Sequence, residues 1–190
     1  LALGVGVATA VFCVIDAVIL RPLPYSGQDR IMDIETHSRS GYQQPASWPA
    51  YEDERAQAHS FAALAGYANY FRFNVQTPSN EAVLLDAVYG TDNFFQVFGV
   101  KPLMGRTFLP GEQETGKNDI AVLSFEVWEK YFGSDKGIVG RAINMDGRAY
   151  TVIGVMPAGF RFPLYERDAI YTPMHLDKPW MKGRGNHWLR

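Results

Sequence analysis

Residues 118–156 read NDIAVLSFEVWEKYFGSDKGIVGRAINMDGRAYTVIGVM, and this stretch decides the fold class. The run NDIAVL is short and apolar, as a buried strand is, and Ser124 after it is a good N-cap for a helix over FEVWEKYF. Asp146 and Gly147 lie between two extended runs and are typical of a two-residue hairpin turn. A strand, a helix and a hairpin in this order predict a mixed-sheet α/β (α+β) fold.

The loop between this helix and the hairpin has an earlier counterpart in the chain. The two loops read FGVKPLMGRTF at residues 98–108 and FGSDKGIVGRAI at residues 132–143. Each follows a predicted helix, so Gly99 and Gly133 are predicted to adopt the left-handed conformation that ends a helix. The same reasoning predicts a turn into the next extended run at the later glycine of each loop, Gly105 and Gly140.

A glycine-rich loop that carries an arginine could instead hold a phosphate. A phosphate loop precedes its helix, so that backbone N–H groups at the helix N-terminus face the anion. Both Gly-Arg pairs follow their helices, and the chain is therefore predicted to bind neither a nucleotide nor another cofactor. Arg106 and Arg141 are interpreted as clamps that donate to backbone carbonyls at helix C-termini.

The flanking segments add further elements. Residues 30–35, RIMDIE, alternate apolar and polar side chains and predict a strand. Ser47 and Pro49 predict the start of a helix over WPAYEDERAQA. The remaining predictions are one or two strands within residues 61–76, strands at 81–89 and 169–173, and a short helix at 93–98.

Residues 1–20, LALGVGVATAVFCVIDAVIL, are apolar except for Thr9 and Asp16. This length is close to the roughly 20 residues that cross a bilayer as a helix. A membrane span, a signal peptide and a buried helix are the alternatives, and the lack of a basic n-region disfavours the signal peptide. We interpret about the first dozen residues as the end of a span and the rest as its helical continuation. The chain is accordingly expected to be a fragment cut at both ends.

Composition excludes several classes of function. Lys and Arg number 18 against 20 Asp and Glu, so no basic excess indicates a nucleic-acid partner. The single cysteine, Cys13, excludes an internal disulfide framework and a cysteine-rich zinc site. The four histidines are scattered and form no HExxH pair, which predicts no metal site. They are His37, His59, His175 and His187.

No catalytic constellation is recognisable either. Ser124 lies in VLSFE rather than in a GxSxG elbow, and its predicted capping role already accounts for it. The acidic groups at residues 52–54 and at Glu112 and Glu114 are interpreted as solvated charges. The chain is predicted not to be an enzyme, with no catalytic, cofactor-binding or metal-binding residue.

Aromatic residues between positions 48 and 73 allow two interpretations. They can fill the core, as aromatic residues in strands commonly do, or they can line a groove for a small apolar molecule. An enclosed pocket formed by Tyr67, Tyr70 and Phe73 would favour the second interpretation, an extracytoplasmic ligand-sensing module. The full set is Trp48, Tyr51, Phe61, Tyr67, Tyr70, Phe71 and Phe73.

Several segments in a fixed order carry a resemblance to a known family. An apolar N-terminal helix runs into AVILRPLPY, and NFFQVFGVKPLMGRTF and VLSFEVWEKYFGSDKGIVGRAINMDGRAYTVIGVMPAGFRFP follow. Over nearly the whole chain the sequence resembles the periplasmic core domain of MacB-type (FtsX-like) ABC-transporter permeases, in their large stand-alone branch. The resemblance implies a transmembrane helix followed by a porter-like α/β part and a smaller strand-rich part. We assign these to residues 1–20, 21–117 and 118–190, respectively.

The resemblance also implies a function. In that family a separate ATPase domain or subunit hydrolyses ATP in the cytoplasm and moves the periplasmic domain, which expels substrates or extracts lipoproteins. The implied partners are the cognate ATPase, a periplasmic adaptor or lipoprotein, the membrane, and a second copy in a homodimer of the full-length protein. The implied location is the bacterial inner membrane, with this domain facing the periplasm.

Overall fold

The computed structural model describes residues 28–38, 40–161, 169–176 and 179–190, together with the isolated Phe12. Apart from Phe12, the predicted membrane helix at residues 1–20 lies outside the described residues. Within the described ranges, every helix is too short or too polar to reach across a bilayer.

The described residues contain nine strands and three α-helices. The strands are β1 (Thr36–His37), β2 (Gln43–Gln44), β3 (Tyr67–Gln76), β4 (Ala82–Gly90), β5 (Met104–Gly105), β6 (Ile120–Leu123), β7 (Ala142–Met145), β8 (Arg148–Val155) and β9 (Ala169–Pro173). The helices are α1 (Trp48–Gln57), α2 (Phe94–Phe98) and α3 (Phe125–Phe132), with 3₁₀ turns at Gln28–Arg30 and Pro179–Lys182.

Strands β3 to β9 form one mixed sheet in the order β5-β8-β6-β9-β4-β3-β7. The pairs β4–β9 and β6–β8 are parallel, and the other pairs are antiparallel. Because β7 also pairs with β8, six of the strands form a ring that is closed by hydrogen-bonded pairs, and β5 is attached to it through β8. The predicted mixed α/β fold is confirmed. Strands from both sides of residue 117 share the sheet, and the predicted division at that residue stays a prediction.

Alternation along the strands separates two apolar clusters. In β6, Ala121 and Leu123 contact one cluster, and Val122 contacts the other. Helix α3 covers the first cluster with Val127, Trp128 and Phe132. Helix α2 covers the second with Phe94, Phe95 and Phe98. Each helix thus covers the sheet with side chains that are spaced at helical periodicity.

The predicted helix ends are confirmed by their hydrogen bonds and backbone angles. Ser47 Oγ accepts from Ala50 N at 3.4 Å, and Ser124 Oγ accepts from Val127 N at 3.2 Å. At the C-termini Gly99 has φ 62° and Gly133 has φ 60°, the left-handed conformation that glycine favours.

The predicted strand at residues 30–35 is wrong. Residues 31–35 have no regular secondary structure, and Met32 and Ile34 are exposed, at 70% and 42%. Ile31 packs against the second apolar cluster, but among the described residues no strand pairs with residues 31–35. Without a neighbouring strand, an alternating run gains no ladder hydrogen bonds. The short strands β1 and β2 pair with each other, through Thr36↔Gln44 and His37↔Gln43, and form a separate two-stranded sheet.

Candidate functional site

The two similar loops converge on strand β8. Gly105 pairs with Gly154, and Arg106 N donates to Ile153 O at 2.9 Å. Gly140 N donates to Val152 O at 2.7 Å. Since β6 pairs along the other edge of β8, the first loop brings β5, and the second brings β7, to the same edge of this strand. The repeated Phe-Gly-loop-Gly-Arg pattern therefore serves strand pairing.

The loop arginines bind carboxylates. Arg106 donates to both oxygens of Glu112, at 2.9 and 2.6 Å, and also to Thr107 O at 3.0 Å. Arg141 Nη1 lies 2.9 Å from Asp135 Oδ2. The predicted clamps on carbonyls at helix C-termini are therefore wrong. Glu112 is not a solvated charge either, since its side chain is only 15% exposed. Both guanidinium groups already have an anionic partner six residues away in sequence.

The four histidines have different surroundings. His37 and His59 are exposed, and His187 Nδ1 lies 3.0 Å from Pro45 O. His175 is buried, with its ring centroid 5.6 Å from that of Tyr89 and 5.9 Å from that of Tyr150. In the part of the chain that the structure describes, no three His, Cys, Asp or Glu side chains converge as metal ligands would.

The pocket that would favour a ligand sensor was to be lined by Tyr67, Tyr70 and Phe73. The Tyr70 side chain lies outside what the structure describes, and the other two side chains do not meet. The Tyr67 ring packs in the cluster that contains Phe94, with a centroid distance of 6.5 Å. Phe73 packs in the other cluster, with its centroid 5.8 Å from that of Tyr150. The two side chains thus fill separate parts of the core and do not line one cavity.

Two adjoining depressions lie on the surface beside α1, and both are open to solvent. They share Trp48, Glu52 and Gln113. Other residues of α1 complete the first, and the second is completed by Pro49, the loop at residues 114–115, Leu176 and Lys182. Their lining mixes charged, amide and apolar groups, which does not identify a ligand chemistry.

A network of polar contacts lies next to these depressions. Asp92 Oδ2 accepts from Gly111 N at 3.1 Å, and Asp92 N donates to the Gln113 side chain at 3.2 Å. The Tyr51 hydroxyl donates to Leu64 O at 3.1 Å. Burial of Tyr51 raises its pKa above the usual value of 10.0. These groups are already engaged in holding α1 and the loop that contains Gln113.

A third apolar cluster joins α1 and the end of the chain to the sheet. Its buried members are Trp48, Tyr51, Ala68, Met174, Met181, Trp188 and Leu189. Leu189 and Ala46 exchange both backbone hydrogen bonds, at 2.6 and 3.0 Å. Arg190 and Tyr67 do the same, at 2.8 and 2.7 Å. Sequence reasoning missed this junction, because residues 186–190 (NHWLR) have neither alternation nor turn signals that predict strand pairing.

Comparisons with known proteins agree with this architecture. The family model for the MacB-like periplasmic core domain matches residues 1–186. The periplasmic region of MacB from Actinobacillus actinomycetemcomitans is similar in structure, with a TM-score of 0.55 at 17% identity over 80% of this chain and 65% of that one. The extracellular domain of the noncanonic ABC-type transporter YknZ from Gram-positive bacteria has a TM-score of 0.54 at 17% identity. That likeness covers 82% of this chain and 79% of the other.

A third similar structure is a domain of a protein described as a permease, from Porphyromonas gingivalis. Its TM-score is 0.59 at 17% identity, over 87% of this chain and 75% of that one. No curated protein matches the sequence. The chain spans about two thirds of the length of the MacB structure, at 65%. The structural likenesses show the fold, and the match over residues 1–186 shows that the chain belongs to the family of MacB-like periplasmic core domains.

Proposed function

We propose that this chain couples ATP hydrolysis in the cytoplasm to a conformational change outside it, as the extracytoplasmic part of a MacB-type permease. The family match over residues 1–186 supports the class of protein. The observation that carries the coupling is the junction at the end of the chain. Leu189 pairs with Ala46, and Arg190 pairs with Tyr67. The segment that precedes the sheet in the sequence and the segment that follows it are thus tied to each other and to β3. A displacement of either segment therefore reaches the sheet through main-chain hydrogen bonds.

The finer features of the proposal follow from the family. The domain faces the periplasm from the inner membrane, and residues 1–20 end a membrane helix. Residues 21–117 and 118–190 belong to the porter-like and strand-rich parts, respectively. A separate ATPase, a periplasmic adaptor or lipoprotein, and a second copy of the full-length chain are the partners. The work performed is export of a substrate or extrusion of a lipoprotein.

The side of the membrane is testable by cysteine labelling of the full-length protein. In a Cys13→Ser background, Lys117→Cys places a thiol at an exposed site, since the Lys117 side chain is 62% exposed. A membrane-impermeant maleimide should label it in intact spheroplasts. Ala121→Cys, at a fully buried position, is the matched control that should stay unlabelled. Labelling of Lys117→Cys only after lysis would contradict an extracytoplasmic location.

Coupling itself requires a second experiment. Hydrogen exchange of the full-length protein with its ATPase should differ between the nucleotide-free and ATP-bound states at the amides of Ala46, Tyr67 and Leu189. These amides form the junction through which we expect movement to pass. The amides of β6 are the internal control. If the junction amides exchange identically in both states, the domain does not couple, even where the labelling result stands.

A further inference from the structure

Helix α1 buries two of its side chains against the rest of the protein. Of its ten residues only Trp48 and Tyr51 are buried, and residues 52–57 are all exposed. Isolated helices shorter than about 12–15 residues are marginal in water, so tertiary contacts must supply most of the stability of α1. The helix therefore depends on what Trp48 and Tyr51 contact.

Part of the cluster around these two side chains comes from residues that follow the last strand. In the cluster that contains Trp48 and Tyr51, the residues Met181, Trp188 and Leu189 all follow the last strand. Leu189 is fully buried, and Trp188 Nε1 donates to Met181 O at 3.2 Å, which fixes the indole ring. Removing these side chains would take away three of the five buried side chains that share this cluster with Trp48 and Tyr51.

Main-chain and charged contacts place the same segment between α1 and the sheet. Besides the backbone pairs of Leu189 and Arg190, Arg184 Nη1 lies 2.8 Å from Asp53 of α1. The segment also passes very close to the sheet. A Cβ atom added at Gly66 would lie 2.9 Å from Leu189 Cδ2, so a larger residue there would force the leucine side chain to shift.

The two clusters within the sheet do not share this dependence. None of their buried members comes from α1 or from residues 179–190. Among the described residues, the third cluster and the first share no buried member, and the partly buried rings of Phe71 and Tyr89 pack against both. The sheet thus has its own core, which does not need α1.

We propose that residues 186–190 form a strap that holds α1 against the sheet, and that releasing the strap undocks α1 while the sheet stays folded. The inference stands on these contacts and does not rest on the proposed function. Opening of this kind is a local transition, in which one cooperative part of a protein loses protection before the rest. It would also remove the helix wall of both surface depressions.

Amide hydrogen exchange of the 190-residue chain tests the strap. Leu189→Ala should accelerate exchange of the α1 amides by about tenfold or more, because the docked helix loses a fully buried partner. Exchange in β6 and β9 should not change. Leu84→Ala is the matched control, since Leu84 is 56% exposed on the sheet and should leave α1 unaffected.

A disulfide across the strap supplies the reverse test. In a hydrogen-bonded antiparallel pair the Cα atoms are about 5.5 Å apart, within the range that a disulfide spans. Ala46→Cys with Leu189→Cys, in a Cys13→Ser background, should show slower α1 exchange when oxidised than when reduced. Because one variant provides both states, changes due to the substitutions themselves cancel.

The possible outcomes separate the strap from simpler behaviour. Fraying of the chain end alone would accelerate exchange at Arg190 and leave α1 unchanged, and this would overturn the proposal. Loss of protection in α1, β6 and β9 together would also overturn it, because the domain would then open as one unit. If Leu189→Ala does not fold, Gly66→Ala displaces the same leucine without removing it and should give the same acceleration in α1.

Discussion

Gly154→Ala should destabilise the protein, because the added methyl group does not fit between β5 and β8. A Cβ atom at Gly154 would lie 2.2 Å from the Arg106 carbonyl oxygen. Real Cβ contacts are no shorter than 3.0 Å, so the two strands must separate by at least 0.8 Å. The atom that is met belongs to the backbone, and no side-chain rotation can relieve the contact.

The size of the effect follows from the contacts that the separation breaks. Overpacking in a closely packed region costs about 1–3 kcal/mol. Separation of β5 also weakens the hydrogen bonds Leu103 N→Val155 O, 2.7 Å, and Arg106 N→Ile153 O, 2.9 Å. Each contributes about 0.5–1.5 kcal/mol net. We therefore expect the free energy of unfolding to fall by about 3 kcal/mol, a large share of the roughly 5–15 kcal/mol that domains have.

Urea unfolding followed by tryptophan fluorescence measures this loss as a lower midpoint at an unchanged m-value. Gly140→Ala is the matched control. Gly140 has φ +90° but no atom within 4 Å of an added Cβ, so its substitution carries only the backbone penalty, about 1–2 kcal/mol. A Gly154→Ala protein within about 0.5 kcal/mol of the wild type would refute the close approach of the two strands.

Three further outcomes are expected. Gly133→Val should lower the free energy of unfolding by about 2 kcal/mol, and Gly133→Asn by less in the same urea experiment, because asparagine tolerates the left-handed conformation better than a β-branched residue. Arg106→Gln should cost about 0.5–1 kcal/mol through Glu112, and Arg141→Gln less, because its ion pair is more exposed; thermal unfolding ranks them. The raised pKa of Tyr51 contributes stability that is present below pH 10.0 and is lost as the pH rises through the folded pKa. Tyr51→Phe should flatten that loss in urea midpoints measured between about pH 9 and pH 11.

Local chemistry made several elements predictable. Ser124 and Gly133 delimit α3 through contacts within a few residues, and the sequence contains both partners of each contact. The turn at Asp146 and Gly147, with φ 51° and 80°, depends likewise on adjacent residues. Features that a short segment determines by itself can be read from that segment.

Features that depend on distant partners were not predictable in this way. Residues 30–35 alternate like a strand, but no strand in the described part of the chain pairs with them. Leu189 and Arg190 show no alternation, yet they pair with Ala46 and Tyr67 because the fold brings those backbones together. Pairing between remote segments is decided by the whole chain, which is why the junction that carries the proposed function was missed.

The two Gly-Arg loops contain both kinds of feature, one that local sequence determines and one that depends on a distant strand. Gly140 and Gly105 both have positive φ, and the sequence predicted a turn at each. At Gly140 only the positive φ favours glycine, since an added Cβ would meet nothing within 4 Å. At Gly105 the same Cβ would lie 2.1 Å from Ile153 O, so the glycine also permits the approach of β5 to β8. Identical residues in similar loops are thus required for different reasons, and only the position of a strand fifty residues away distinguishes them.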